Sequence, residues 1–64
     1  MNSNEKMVLI TGATRGLGLA MVRLLAAQGH TLVLVARDRH GLEQVADRVA
    51  AEFGDRPRTL SVDL

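Results

Sequence analysis

The 64-residue sequence predicts an α/β fold in which parallel strands alternate with helices. The prediction rests on three short apolar runs, two longer segments of helical periodicity between them, and glycines at the junctions. Strands that alternate with helices along a chain are joined by right-handed crossovers, so they lie parallel in one sheet. A chain of this length forms one small domain at most.

The first strand is predicted over residues 6–11, KMVLIT, because a continuous apolar run bounded by turn residues suits a strand covered on both faces. A helix follows from Gly16, and Gly29 stands where a left-handed C-cap forms most easily. Apolar residues of this helix recur at spacings of three and four, which predicts one buried stripe. The stripe consists of Leu17, Ala20, Met21, Leu24 and Leu25.

The second strand is predicted over residues 31–36, TLVLVA, which is again too continuous for a one-sided strand. A second helix follows and ends near Gly54, since Pro57 prevents its continuation. Its apolar face is formed by Leu42, Val45, Val49 and Phe53. Residues 58–62, RTLSV, predict a third strand. This order is one βαβαβ half of a Rossmann-type doubly wound sheet, with the expected strand order 3-2-1.

The composition excludes several classes of function. Eight basic and seven acidic side chains give a net charge of +1, which does not favour nucleic acid or an anionic membrane as a partner. One Phe without Tyr or Trp offers no platform for stacking bases, and two His without Cys do not predict a metal site. The polar start, MNSNEK, has no apolar signal core, so we expect a cytoplasmic protein.

A glycine-rich segment, LITGATRGLGLA, joins the first strand to the first helix. Ligands of open α/β sheets bind at this edge, where glycine allows the backbone to approach a ligand closely. The free N–H groups and partial positive charge at the start of a helix form a seat for phosphate. A Walker-type loop is not supported because Leu17 replaces its second glycine, and the strict G-x-G-x-x-G pattern fails at Met21.

The pattern that is present, T-G-x-x-x-G-x-G, resembles the glycine motif of the short-chain dehydrogenase/reductase family. The resemblance implies that Gly12 makes the turn, Gly16 approaches a pyrophosphate, and Gly18 lets helix and strand pack closely. It also implies that the backbone N–H of Leu17 lies beside the phosphates. The loop residues assigned to the cofactor are Thr11, Gly12, Thr14, Arg15, Gly16, Leu17 and Gly18.

The residue after the second strand indicates which dinucleotide binds. NAD-binding units carry an acidic residue about 20 positions beyond the motif, on the ribose 2′-hydroxyl. Arg37 stands at this place, and its guanidinium would pair with a 2′-phosphate that a carboxylate would repel. Arg15 could close on the same phosphate, while Arg39 is a weaker candidate. We therefore expect NADP(H), with NAD(H) as the less favoured alternative if a register shift of one residue places Asp38 on the ribose.

The chain's last two residues complete the set of cofactor-binding residues. The resemblance assigns Asp63 to the adenine amino group and Leu64 to adjacent backbone contacts. It also implies hydride transfer between NADPH and a small carbonyl or alcohol substrate through a Tyr-x-x-x-Lys pair and a serine. The chain has no tyrosine, and its only lysine is Lys6. No catalytic residue is therefore assigned.

Two interpretations of the whole chain stay open. In the first, residues 1–5 form a flexible tail and residues 6–64 are the N-terminal part of a longer NAD(P)-binding Rossmann domain, inactive by itself. In the second, the chain is a free-standing nucleotide-binding or interaction module that a partner or a second copy completes. Because the first strand would otherwise be an exposed apolar edge, a homo-oligomer is compatible with both.

Overall fold

The computed structural model describes residues 7–63 and confirms the predicted alternation of strands and helices. The predicted tail at residues 1–5 and the adenine-side residue Leu64 lie outside the described residues. The elements are β1 (Met7–Thr11), α1 (Gly16–Ala27), β2 (Thr31–Ala36), α2 (Arg39–Phe53) and β3 (Arg58–Ser61). Glycines end both helices in the left-handed region, with φ of 86° at Gly29 and 96° at Gly54.

The three strands form one parallel sheet with β2 in the centre, as the sequence predicts. Ile10 of β1 lies beside Leu34 of β2, and Leu34 in turn lies beside Thr59 of β3. Parallel pairing places the carboxyl ends of all three strands at the same edge of the sheet. The segments that follow Thr11, Ala36 and Ser61 therefore meet there.

The hydrophobic core lies between one face of the sheet and the two helices. Side chains of a strand alternate between its two faces, so every second strand residue belongs to this core. Val22 from α1 is fully buried. The buried core cluster consists of Ile10, Ala13, Val22, Leu32, Leu34, Leu42, Val45 and Val49. The predicted apolar face of α2 is confirmed at three of its four positions, while Phe53 is exposed at the end of the helix.

The opposite face of the sheet is largely open within residues 7–63. Leu9 on β1 is 60% exposed and Leu60 on β3 is 50% exposed. The expectation that both faces of the strands are covered is therefore not met by the described residues. Right-handed crossovers explain this result, because they place α1 and α2 on the same side of the sheet.

The predicted buried stripe of α1 is wrong. Leu17, Ala20, Met21 and Leu24 are all exposed, and only Leu25 of the predicted set packs on the core. Instead, the helix turns Val22 inward and flanks it with the partly buried Leu19, Leu25 and Ala26.

Gly18 decides which side of α1 faces the sheet. A Cβ atom built on Gly18 would overlap the carbonyl oxygen of Gly12 and lie 2.8 Å from its carbonyl carbon. The helix therefore touches the preceding loop through Gly18. Val22 and Leu25 follow at spacings of four and seven on the same side. Apolar periodicity could not select this side because Arg23 is the only polar residue of the helix.

Exposed ion pairs link the elements on the surface. Arg23 of α1 lies 2.8 Å from Glu52 of α2, and this hydrogen-bonded pair raises the pKa of the Arg23 guanidinium. Arg56, after α2, contacts Glu43 at 2.6 Å and Asp47 at 3.0 Å. Because solvent screens exposed pairs, the core rather than these contacts stabilises the fold.

Replacing Gly18 with alanine tests the close contact between α1 and the loop. We expect the substitution to lower the free energy of unfolding by about 1–3 kcal/mol in the complete protein, since the added methyl group meets backbone that cannot rotate away. Urea denaturation measures the change.

Gly41→Ala is the matched control, because it adds the same methyl group to a helix. Its Cβ would meet the Asp38 carboxylate at 2.6 Å, and that carboxylate can rotate. Its effect should be smaller, because the gain of helix propensity offsets the disturbance of Asp38. An equal decrease of the free energy of unfolding in the two variants would contradict the role of Gly18 in the close contact between α1 and the loop.

Candidate functional site

The loop between β1 and α1 has a fixed backbone. Gly12 and Gly16 adopt φ of 63° and 64°, in the left-handed region that favours glycine. Ala13 between them is fully buried, and its N–H donates to the carbonyl of Val35 at 3.4 Å. The loop is therefore anchored to both the core and the central strand.

The two helices begin differently. On α2 the carboxylate of Asp38 accepts a hydrogen bond from the N–H of Gly41 at 3.0 Å, so this helix is capped by its own side chain. On α1 the N-cap residue is Arg15, which makes no side-chain capping bond, and the first turn has no acidic residue. The N–H groups at the start of α1 are thus available to an anion such as phosphate.

A crevice of about 540 Å³ opens at the carboxyl edge of the sheet. It is bounded by the glycine loop on one side and by the ends of β2 and β3 on the other. Its lining consists of Gly12, Thr14, Arg15, Ala36, Arg37, Asp38 and Val62. This is the edge where ligands of open α/β sheets bind, and it is the edge where the sequence predicts a ligand site.

Charged side chains of both signs surround this crevice. Arg15 and Arg37 reach it from the glycine loop and from the residue after β2, and both are exposed. Arg37 lies 3.9 Å from Asp63, measured from Nη1 to Oδ1, with side chains 77% and 86% exposed. This pair is weak because water screens it. The guanidinium of Arg37 is therefore free to turn toward an anionic ligand.

The structure brings together some of the predicted site residues. Gly12, Thr14, Arg15 and Arg37 line the crevice. The other described residues of the predicted set lie around it: Thr11, Gly16, Leu17 and Gly18 in the strand end and helix start, and Asp63 beside Arg37. Leu17 exposes 80% of its surface, so any part it plays here is through its backbone. Contact of these residues with a cofactor stays a prediction.

Sequence reasoning missed three residues of this region. Ala36, the last residue of β2, and Val62, the residue after β3, line the crevice. The sequence does indicate these two positions, since each is the last apolar residue before a charged one. Ala13 was also missed, although a small apolar residue inside a polar loop indicates an anchor in the core.

Neither a metal site nor a membrane span stands out between residues 7 and 63. No group of three or more metal-ligating side chains is gathered in this part of the chain. Neither of its two helices combines the length and apolar character that crossing a bilayer requires.

Comparison with known proteins decides the family. The sequence profile of the short chain dehydrogenase family matches residues 6–64. The chain belongs to this family. The resemblance of the glycine motif, and the Rossmann-type fold that it implies, are confirmed by this match and by solved structures of family members.

Relatives of the chain in the short-chain dehydrogenase family are much longer. An uncharacterised oxidoreductase of Escherichia coli K12, YciK, is 34% identical over 61 residues, which are 95% of this chain and 24% of that protein. The bulky-bulky ketone specific alcohol dehydrogenase of Comamonas testosteroni superposes with a TM-score of 0.90 at 35% identity, over 97% of this chain and 26% of that one. A short-chain dehydrogenase of Sphingobium yanoikuyae, solved in complex with NADPH, superposes with a TM-score of 0.86 at 42% identity, over 94% of this chain and 23% of that one. The chain therefore spans about a quarter of the length of these relatives.

Substitutions at Asp38 test its role as the cap of α2. Asp38→Ala should lower the free energy of unfolding by about 1 kcal/mol, because the N–H of Gly41 loses its acceptor. Asp38→Asn should stay near the parent value, since an amide oxygen also caps helices well. Urea denaturation measures the free energy of unfolding of both variants. An equal decrease in both would show that the charge of Asp38, rather than its hydrogen bond, stabilises α2.

Proposed function

We propose that this chain is the NADP(H)-binding segment of a short-chain dehydrogenase that transfers hydride between NADPH and a carbonyl or alcohol substrate. The observation that carries the proposal is the crevice at the carboxyl edge of the sheet, which joins the glycine loop to two arginines. Family membership supports a nicotinamide dinucleotide as the ligand. The preference for the 2′-phosphorylated form rests on the residues of this chain.

The loop and the start of α1 would bind the diphosphate of the cofactor. Gly12 and Gly16 expose backbone without a Cβ, and no side chain between residues 7 and 63 caps the first turn of α1. Peptide N–H groups aimed at one point bind a phosphate well, because the helix dipole adds to their hydrogen bonds. The close contact between Gly18 and Gly12 keeps this turn directly beside the loop.

The 2′-phosphate would lie against Arg37, with Arg15 facing it from the loop. Both residues line the crevice, and the ion pair of Arg37 with Asp63 spans 3.9 Å. Asp38 is the residue that would favour NAD(H), but one of its oxygens already accepts from Gly41. The solved relative from Sphingobium yanoikuyae, which is 42% identical to this chain, binds NADPH and supports the same preference here. Asp63 and Leu64 would complete the site on the adenine side.

When bound, NADPH would supply the hydride, and the residues of this chain would bind and orient the cofactor. They do not include the tyrosine and lysine pair that the family resemblance implies, because the sequence has no tyrosine and Lys6 is its only lysine. The solved relative from Comamonas testosteroni is specific for ketones, which supports a carbonyl substrate for the whole protein. The groups that select and protonate this substrate would then lie in the part of the protein outside these 64 residues.

A second function is favoured by the exposed apolar face of the sheet. Leu9 and Leu60 lie on this face, and an uncovered apolar surface of this kind is typical of an interaction site. A nucleotide-binding module completed by a partner or by a second copy would cover it. Sedimentation of the isolated chain tests this candidate, since a stable dimer supports it and a stable monomer excludes self-completion.

Reversing the charge of Arg37 tests the proposed cofactor preference. In the complete protein, Arg37→Asp should weaken NADPH binding about tenfold to a hundredfold, because a charge-assisted bond to phosphate is lost and repulsion replaces it. NADH binding should change little. Fluorescence titration of both cofactors measures the two affinities.

Arg48→Asp is the matched control for this experiment. It makes the same charge change at an exposed position of α2, outside the crevice lining. It should leave most of the preference for NADPH intact. A parent protein that binds NADH as well as NADPH, or equal effects of the two variants, would contradict the assignment.

The activity of the 64-residue chain tests whether this chain serves cofactor binding without catalysing the reaction. We expect no carbonyl reductase turnover with NADPH, because this chain lacks the tyrosine and lysine pair that the family resemblance implies. Absorbance of NADPH at saturating cofactor follows the reaction. Turnover above that of a Gly16→Val control, which blocks the loop, would overturn the expectation.

A further inference from the structure

Ser61 is the last residue of β3 and contacts the residue proposed to bind the 2′-phosphate. Its hydroxyl donates to the carbonyl oxygen of Arg37 at 3.0 Å. The two residues are 24 positions apart in the sequence. The sheet brings them together because Ser61 pairs with Ala36, the residue before Arg37.

The hydroxyl of Ser61 acts where the regular ladder of the sheet ends. The carbonyl of Val35 accepts from Ala13 on the β1 side, and the carbonyl of Ala36 accepts from Val62 on the β3 side. Carbonyls of a strand point alternately to its two neighbours, so a continued strand would aim the carbonyl of Arg37 at the β1 side. The bond from Ser61 instead turns this peptide group toward β3.

Hydrogen bonds also hold the backbone before and after this peptide group. On one side, the N–H of Val62 donates to Ala36 at 3.0 Å. On the other, Asp38 caps α2 through Gly41. The Ser61 bond therefore fixes the backbone of Arg37, the residue between the end of β2 and the cap of α2.

Among residues 7–63, the side chain of Arg37 makes no contact as strong as the Ser61 hydrogen bond. Its ion pair with Asp63 spans 3.9 Å between two largely exposed groups. A pair of this kind is screened by water and salt and does not hold a long side chain in one place. The peptide group that Ser61 contacts therefore fixes the point at which the Arg37 side chain leaves the backbone, and the guanidinium turns from that point.

We infer that Ser61 is a positioning residue for cofactor selectivity: its hydroxyl orients the Arg37 backbone so that the guanidinium meets the 2′-phosphate of NADPH. The inference rests on the proposed function of the crevice. According to this inference, the preference for NADPH depends on a residue of β3 as well as on the glycine loop and the end of β2. Ser61 itself does not line the crevice and acts through Arg37.

The test compares threonine and valine at position 61 in the complete protein. The two side chains have nearly the same shape and both favour strands, but only threonine keeps the hydroxyl. In Ser61→Val the affinity for NADPH should fall about three- to tenfold, the effect of one lost hydrogen bond, while the affinity for NADH stays within about twofold. Ser61→Thr should keep the parent ratio of the two affinities.

Thr59→Val is the matched control on the same strand and the same side of the sheet. Thr59 donates its hydroxyl to Glu43 at 3.2 Å and does not touch Arg37. Loss of this bond should leave the ratio of the affinities unchanged. Ser61→Ala provides a second variant without the hydroxyl, and its circular dichroism spectrum shows whether the fold is kept.

The outcomes separate the inference from the proposed function. If the parent prefers NADPH and Arg37→Asp removes the preference, while Ser61→Val keeps it or weakens both cofactors equally, Ser61 has no positioning role. If the parent shows no preference for NADPH, the proposed function and the inference fail together. A selective loss of NADPH affinity in Ser61→Val and Ser61→Ala, restored in Ser61→Thr, supports the inference.

Discussion

The contact between Gly18 and the backbone of Gly12 determines how the first half of the molecule is arranged. A Cβ atom at Gly18 would lie 2.8 Å from the carbonyl carbon of Gly12, so only glycine allows helix and loop to come this close. This contact turns Val22 into the core and leaves the opposite, equally apolar side of α1 exposed. It also keeps the start of α1, with its uncapped N–H groups, beside the crevice. Packing and the proposed phosphate site thus depend on the same pair of glycines.

The second half of the crevice depends on the register of the sheet. Because β2 pairs with both neighbours in parallel, the residues that follow Ala36 and Ser61 arrive at the same edge. The proposed phosphate-binding arginine therefore follows the central strand, and its backbone is fixed from β3 by a hydroxyl group. Backbone hydrogen bonds of 3.4 Å to Val35 and 3.0 Å to Ala36 hold the chain at this edge, whereas the charged side chains of Arg37 and Asp63 meet at 3.9 Å. A hydrogen-bonded backbone that bears exposed charged side chains suits the anion-binding site proposed here.

The sequence predicted the order of the elements and the strand order because glycine, proline and apolar periodicity mark them directly. Most of their bounds agree to within about a residue, since Gly12, Gly29 and Gly54 end the strand or helices as expected. The exception is α2, which begins at Arg39, whereas the apolar pattern of this helix begins only at Leu42. The buried side of α1 was not predictable from periodicity, because a helix with Arg23 as its single polar residue has two apolar sides. The long-range contacts of the crevice were not predictable either. The Ser61 bond and the Arg37–Asp63 pair join residues whose proximity depends on the register of β2 and β3.

The Arg37–Asp63 pair has a consequence for protein engineering. It links two positions that the cofactor hypothesis assigns to different parts of one adenosine group, the ribose phosphate and the base. Substitutions at residues in contact are commonly non-additive. A redesign that alters only one of the pair also changes the electrostatic surroundings of the other. Combinatorial libraries that vary both codons together would explore cofactor exchange at this edge more efficiently than successive single substitutions.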